Sequence, residues 1–283
     1  MMRSHHAPTI VIVILCFLLL TVLGCGSSRY SASERTLRVM TWNIHHAEGT
    51  DGVVDLDRIA ELIEDEEIDI VALQEVDRNV PRSKNIDLIT ALADKTDLTY
   101  AFGKTIDFQS GEYGNAFLTR FPILEERNIL FKETYGREQR GVLLLVLDVL
   151  GEELAIANTH LDHHADDSTR ISAVNELRTI FARLTSRPTL LVGDLNAEPG
   201  SPSLRPLTEM MADSWTLVGE GDGFTFPSRS PQKRIDYIFS SKTITPDSLS
   251  SALRLSPTSA RVVRSSASDH LPLIVDFRVT TEH

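Results

Sequence analysis

The chain has 283 residues, 42% of them hydrophobic, and a formal net charge of −12 at pH 7. That excess of acid excludes a general electrostatic attraction to nucleic acid or anionic lipid, although local basic loops can override a net charge. The two cysteines, Cys16 and Cys25, both fall in the N-terminal stretch, which excludes disulfides, thiolate zinc sites and a cysteine nucleophile from the rest of the chain.

Arg3, His5 and His6 precede an unbroken apolar run from Ile10 to Leu20, the pattern of an export signal. As a helix, Thr9 to Leu23 would measure about 22 Å against a hydrocarbon core of about 30 Å, so a cleaved signal is expected rather than a span. Val22-Leu23-Gly24-Cys25 resembles the bacterial lipoprotein cleavage box. The resemblance implies a signal peptide over residues 1–25, a lipid anchor at Cys25 and a protein held at the membrane, facing the periplasm or the exterior. Gly26 stands where an Asp would suggest inner-membrane retention, which makes the outer membrane the expected destination. An uncleaved anchor is the alternative, and it too leaves the domain exported and tethered. Residues 26–34 are a Gly/Ser-rich tether with a reach of about 15–18 Å, which keeps the remainder of the chain close to the membrane surface. From Arg35 to His283 no repeat, low-complexity block or Pro/Gly/Ser-rich break divides the chain, so residues 35–283 are expected to form one domain.

Within it, Leu37 to Asn43 reads as a strand, and Asp55 to Glu66 carries Leu56, Ile59, Ala60, Leu62 and Ile63 at helical spacing with Asp55 as N-cap. Ile68 to Leu73 is a buried strand running into Glu75. Helical patterns recur at Ile86 to Asp94, Ser168 to Thr185 and Ser201 to Met211. Leu143 to Leu150 and Glu153 to Ala157 flank Gly151 as a hairpin. Thr189 to Val192, Ile235 to Phe239, Leu253 to Val263 and Leu273 to Phe277 supply later strands. Strands with interspersed helices suggest two sheets packed face to face with helices outside, a pattern that periodicity alone does not separate from a Rossmann-like fold.

Six polar motifs sit where apolar runs end or turn: Thr41-Trp42-Asn43, Leu73-Gln74-Glu75, Asn158-Thr159-His160, Gly193-Asp194-Leu195-Asn196, Arg234-Ile235-Asp236-Tyr237 and Ser268-Asp269-His270. One such motif is ordinary strand-end or capping chemistry. In this order the six resemble the endonuclease/exonuclease/phosphatase superfamily of metal-dependent phosphoester hydrolases, from about Leu37 to Phe277. The resemblance implies a four-layer αββα sandwich, two mixed β-sheets flanked by helices. It also implies attack of an activated water on phosphorus, with Mg²⁺ or Mn²⁺ as cofactor.

A phosphodiester repels a nucleophilic water, so its oxygens must be neutralised and the water oriented or deprotonated. Glu75 is a hard oxygen ligand of the kind Mg²⁺ takes, and the resemblance adds Asp269 and the Asn43 amide as its neighbours. Asp194 and Asn196, two apart, point to one side if the segment stays extended. The family pattern makes Asp194 the group that orients or activates water and Asn196 a holder of phosphate or water. Among nine histidines, His160 and His270 occupy family positions. His160 is expected at a phosphoryl oxygen or leaving group, and His270 beside Asp236, whose carboxylate would fix its tautomer and favour its charge. Glu112 to Phe117 resembles the family strand that crosses under the site, and from it Asn115 is expected in the hydrogen-bond network or, equally, as a buried amide bound to backbone. Arg82 and Arg170, with Lys84 and Arg140 behind them, are expected phosphate-side cations. Trp215, Phe224 and Phe226 are expected in the core. His45-His46 and His163-His164 have no family role but could hold a transition metal.

The superfamily core serves DNA, RNA, inositol phosphates, sphingomyelin and other phosphodiesters, and fold alone does not choose among them. The membrane tether and the missing basic patch favour a lipid headgroup or small phosphodiester. An extracellular nuclease is the alternative, with nucleic acid as partner. A binding module that has lost catalysis stays open as a second class, although every motif residue is present.

Overall fold

The computed structural model describes residues 1–2, 35–184, 186–242 and 252–281. The signal peptide, Cys25 and the tether therefore lie outside the described residues. The strands and helices among the described residues all belong to the compact unit Ala32–His283.

In chain order the strands are β1 (Arg35–Asn43), β2 (Ile70–Arg78), β3 (Thr99–Phe108), β4 (Gly111–Thr119), β5 (Ile123–Leu130), β6 (Gly141–Val149), β7 (Glu152–His160), β8 (Thr189–Asp194), β9 (Met211–Asp213), β10 (Asp236–Ser241), β11 (Leu253–Val262) and β12 (Leu273–Thr281). The helices are α1 (Asp57–Asp65), α2 (Leu88–Thr96), α3 (Ser168–Phe181), α4 (Arg205–Met210) and α5 (Ser214–Val218).

The strands form two six-stranded sheets, ordered β11-β12-β1-β2-β4-β3 and β5-β6-β7-β8-β10-β9. Each is antiparallel except for one inner pair, β1 with β2 and β7 with β8. A parallel pair brings both carboxyl ends to one edge of a sheet, where ligands of open α/β sheets gather. Those two edges hold the motif residues: Asn43 pairs with Gln74 at one, and His160 with Asp194 at the other.

Alternating side chains supply three apolar layers. Leu37, Val39, Phe117, Leu145, Ile156, Val192 and Phe277 pack between the sheets. Trp42, Ile59, Ile63, Val71, Leu73 and Leu92 join the first sheet to α1 and α2. Leu144, Val174, Leu177, Phe181, Leu191 and Phe239 join the second to α3 and α4. The result is the αββα sandwich implied by the motifs. The hairpin turns at Leu150-Gly151, both at positive φ (62° and 84°), the two-residue geometry that matches strand twist. Helix α1 begins at Asp57, two residues later than the pattern suggests. Asp55 still serves that end, accepting the Asp57 N–H at 3.0 Å. Just past the end of α1, Glu66 meets Arg261 of β11 at 2.7 Å.

Candidate active site

Glu75 reaches the cleft because β2 is interrupted. The pairing with β4 slips between Leu73 and Val76, and Glu75 itself has φ +59°. This bulge buries Gln74 and turns Glu75 outward. Its Oε1 accepts from Asn43 Nδ2 at 3.0 Å, and Asn43 Nδ2 also donates to Asp194 Oδ2 at 3.1 Å. The Asn43 Oδ1 accepts the His45 N–H at 3.1 Å. Asn43 thus donates to two carboxylates, from the place beside Glu75 where the family pattern expects its amide.

Asp194 ends β8, and its neighbour Gly193 is required there: φ is +141°, and a Cβ would lie 1.9 Å from the Thr159 carbonyl oxygen. Asn196 reaches the cleft by a turn, not by the expected extended segment. It has φ +47°, its N–H donates to Asp194 Oδ1 at 2.9 Å, and its Nδ2 stands 3.1 Å from His160 Nε2.

His160 Nδ1 faces the Arg140 guanidinium at 3.0 Å. Arginine only donates, so Nδ1 accepts; Nε2 stands 3.5 Å from Asp194 Oδ2. Burial, reinforced by Arg140 and His270, holds the imidazole well below its ordinary pKa, and the ring is neutral. His270 has the opposite electrostatics. Burial opposes its charge, but Asp236, with Oδ2 at 3.0 Å from Nδ1, and Asp194, with Oδ2 at 3.7 Å from Nε2, outweigh burial and push its pKa up to about 10. Burial and the nearby Asp236 push Asp194 upward.

The loop carrying Asp269 and His270 is pinned to the first sheet. Ser268 Oγ donates to the Asn43 carbonyl at 2.7 Å, and Trp42 Nε1 donates to the His270 carbonyl at 3.0 Å. Asn43, Glu75, His160, Asp194, Asn196, Asp269 and His270 all line one cleft of about 330 Å³, with Asp236 buried behind His270.

The other expected residues part company. Arg82 lines the cleft but spends its guanidinium on buried Asp77, at 2.8 Å through both Nε and NH2. Arg170 does not line it. Its nitrogens bind Asp167 and the carbonyls of Asp162 and His164, which makes it a brace for that loop. Asn115 is buried against β6, donating to the Gly141 carbonyl at 3.4 Å. Phe226, expected in the core, instead tilts over His270 with ring centres 4.7 Å apart. Arg140, Glu138, Tyr113 and Phe108 complete the walls. Arg140 is 5% exposed, and its Nε lacks a partner among the described residues. It was expected as a phosphate-side cation behind Arg82 and Arg170, and it is the one of the three set on a catalytic imidazole.

Glu75 and Asp269 fit a hard divalent cation. Both are carboxylates on the cleft wall, and Glu75 makes a single hydrogen bond among the described residues.

The model of the endonuclease/exonuclease/phosphatase family matches residues 40–270. The Escherichia coli K12 protein YbhP is 27% identical over 226 residues, covering 72% of this chain and 84% of its own. An endonuclease/exonuclease/phosphatase from Beutenbergia cavernae superposes with TM-score 0.68 at 28% identity, over 87% of this chain and 72% of that one. Two further folds are alike at lower identity. The Bacteroides thetaiotaomicron mannosyl-6-phosphatase Bt3783 has TM-score 0.68 and 19% identity, over 85% and 99% of the two chains. Truncated Caenorhabditis elegans TDP2 has TM-score 0.63 and 21% identity, over 86% and 97%. With its six motifs gathered into one cleft between the carboxyl edges of two sheets, the chain belongs to the endonuclease/exonuclease/phosphatase family, whose members are divalent-metal-dependent phosphoester hydrolases.

Proposed function

We propose that this protein is a Mg²⁺- or Mn²⁺-dependent phosphodiesterase acting on a lipid headgroup or another small phosphodiester. The observation that carries the reading is the placement of Asp194 Oδ2 within 3.1 Å of Asn43, 3.5 Å of His160 and 3.7 Å of His270. A proton acceptor, a neutral donor and a cation thus face one point.

Glu75 and Asp269 would hold the cation, whose charge would neutralise phosphoryl oxygens. Asp194, aligned by Asn43 and by the Asn196 N–H, takes the proton of the attacking water. Its raised pKa makes it a better base than an ordinary carboxylate. His270, charged through Asp236, offers its Nε2–H to the negative charge that grows in the transition state. His160 is neutral, so it donates a hydrogen bond from Nε2 to a phosphoryl oxygen; the bond from phosphorus to the leaving oxygen breaks as the bond to the water oxygen forms, and the departing oxygen takes a proton from solvent, to which Asp194 returns its own. Asn196 flanks the same phosphoryl oxygen.

Substrate size and charge support the finer reading. The cleft is about 330 Å³ and its lining includes Phe108, Tyr113, Ile106 and Phe226, and Arg82 and Arg140 are engaged by Asp77 and Glu138. With the net charge of −12, this gives a polyanionic strand little to follow. The tether and lipid anchor at Cys25 are part of the same proposal: Cys25→Ala should release the protein from membranes, and retention would point to an uncleaved anchor.

The test is turnover by the purified full chain of sphingomyelin, inositol phospholipids, DNA, RNA and mannose 6-phosphate with Mg²⁺ or Mn²⁺. Preference for the lipid diesters supports the reading. Preference for DNA or RNA would replace it with the nuclease, and preference for the sugar phosphate with a monoesterase. Absence of turnover on all would favour a binding module.

A further inference from the structure

Beside the hydrolytic centre lies a second donor set, two of whose three members the chemistry above does not use. His45, His46 and Glu75 place one ligand atom each within 4.8 Å of one another. We propose that this trio is a binding site for a divalent transition-metal ion, adjoining the oxygen site of Glu75 and Asp269 and sharing only Glu75 with it.

The tautomers of the two rings favour a cation. His45 Nδ1 stands 3.4 Å from the Glu48 main-chain carbonyl, which can only accept, so the ring proton belongs on Nδ1 and Nε2 keeps a free lone pair. His46 Nε2 stands 3.5 Å from the Glu48 carboxylate, so its proton belongs on Nε2 and Nδ1 keeps the lone pair. Metal-binding imidazoles are held in this way, one nitrogen on a carbonyl or carboxylate and the other open. Here one residue, Glu48, orients both rings.

The open nitrogen of His46 is also unexplained by the rest of the protein. His46 is 6% exposed, yet Nδ1 has no hydrogen-bond partner among the described residues. A buried acceptor left unpaired is destabilising, and a cation would satisfy it. The turn holds the rings in place: His45, His46 and Ala47 have φ of 45°, 45° and 65°, and Asn43 Oδ1 accepts the His45 N–H. The nearby positive charge of Arg82 is offset by the two bonds it makes to Asp77.

Two imidazoles and one carboxylate suit Zn²⁺, Co²⁺ or Mn²⁺ better than Mg²⁺, which prefers oxygen and water. The proposal rests on the hydrolase reading only in sharing Glu75.

The experiment is Co²⁺ titration of the full chain after chelator treatment, in excess Mg²⁺, read by the visible bands of nitrogen-coordinated Co²⁺. The wild type should bind Co²⁺ with such bands, and Asp269→Asn should retain them. His46→Gln should abolish them, and Glu48→Gln should weaken binding by about 10- to 100-fold. Circular dichroism reports whether each variant is folded, and His45→Gln is the second probe if His46→Gln is not. Wild-type affinity and bands in folded His46→Gln or His45→Gln would overturn the site, as would loss of the bands in Asp269→Asn alone. Mg²⁺-dependent turnover, measured on the same preparations, fails or succeeds independently of these bands.

Discussion

Gln74 and Asn158 join the two sheets through a buried amide pair, Gln74 Nε2 donating to Asn158 Oδ1 at 2.8 Å. Gln74 precedes Glu75 on β2, and Asn158 lies two residues before His160 on β7, so this bond ties the two catalytic edges together. Asn158 Nδ2 in turn donates to the carbonyls of Leu73 and Ala116, both at 2.9 Å. Because the pair is sealed from water, removing one member strands the partners of the other. Asn158→Ala should lower stability by about 2–4 kcal/mol in urea unfolding, with a larger relative loss in kcat than in KM as Glu75 loosens against His160. A change below about 0.5 kcal/mol would mean the amides do not couple the sheets.

The His270–Asp236 pair should behave as one unit. Asp236→Asn or His270→Gln alone should abolish most activity, and the double variant should be little worse than either. Losses that multiply would show that the two act separately.

The same pair predicts a pH dependence of stability in the metal-free chain. A histidine has a pKa of about 6.5 when unfolded, and His270 is raised to about 10 when folded. A raised pKa means that the folded state holds the proton more tightly. The stabilisation is therefore complete below about pH 6.5 and is lost as pH climbs toward 10. The destabilisation caused by His270→Gln, measured in chelator by urea unfolding, should shrink over that interval. A penalty that grows with pH would contradict the charged pair.

Much of this architecture is legible in the sequence because it rests on long apolar runs and on motif residues that end them. The features that escape it depend on contacts made across the fold. Strand β5 is mostly exposed, with Glu125, Glu126, Arg127 and Asn128 in its middle, so no alternation marks it. It exists because β6 offers an edge to pair with. Asn196 turns where extension was expected because Asp194 Oδ1 captures its N–H. Arg170 and Arg140 are both candidate cations on paper, Arg170 the more favoured. Burial against Asp167 commits one to a loop, while three-dimensional closure sets the other on His160.

That Arg140 contact makes its own prediction. Replacing the guanidinium by an uncharged group removes both a fixed donor and a cation beside His160. Arg140→Met should let the His160 imidazole titrate closer to its ordinary value by NMR, with kcat falling by more than tenfold. An unmoved titration would mean that burial alone keeps the ring neutral.

Gly193 tests how tightly Asp194 is placed. A methyl group would collide with the Thr159 carbonyl in the neighbouring strand, so Gly193→Ala should cost about 2–3 kcal/mol in unfolding experiments and separate β7 from β8. Unchanged stability and activity would show that this edge yields freely.

The measurement that bears most directly on the central claim is hydrolysis of bis-p-nitrophenyl phosphate by the full chain with Mg²⁺ or Mn²⁺, beside Asp194→Asn. Turnover that vanishes in chelator, returns with the cation and falls about 10²- to 10⁴-fold in the variant is the predicted result. Undiminished turnover by folded Asp194→Asn, or turnover indifferent to the chelator, would contradict it.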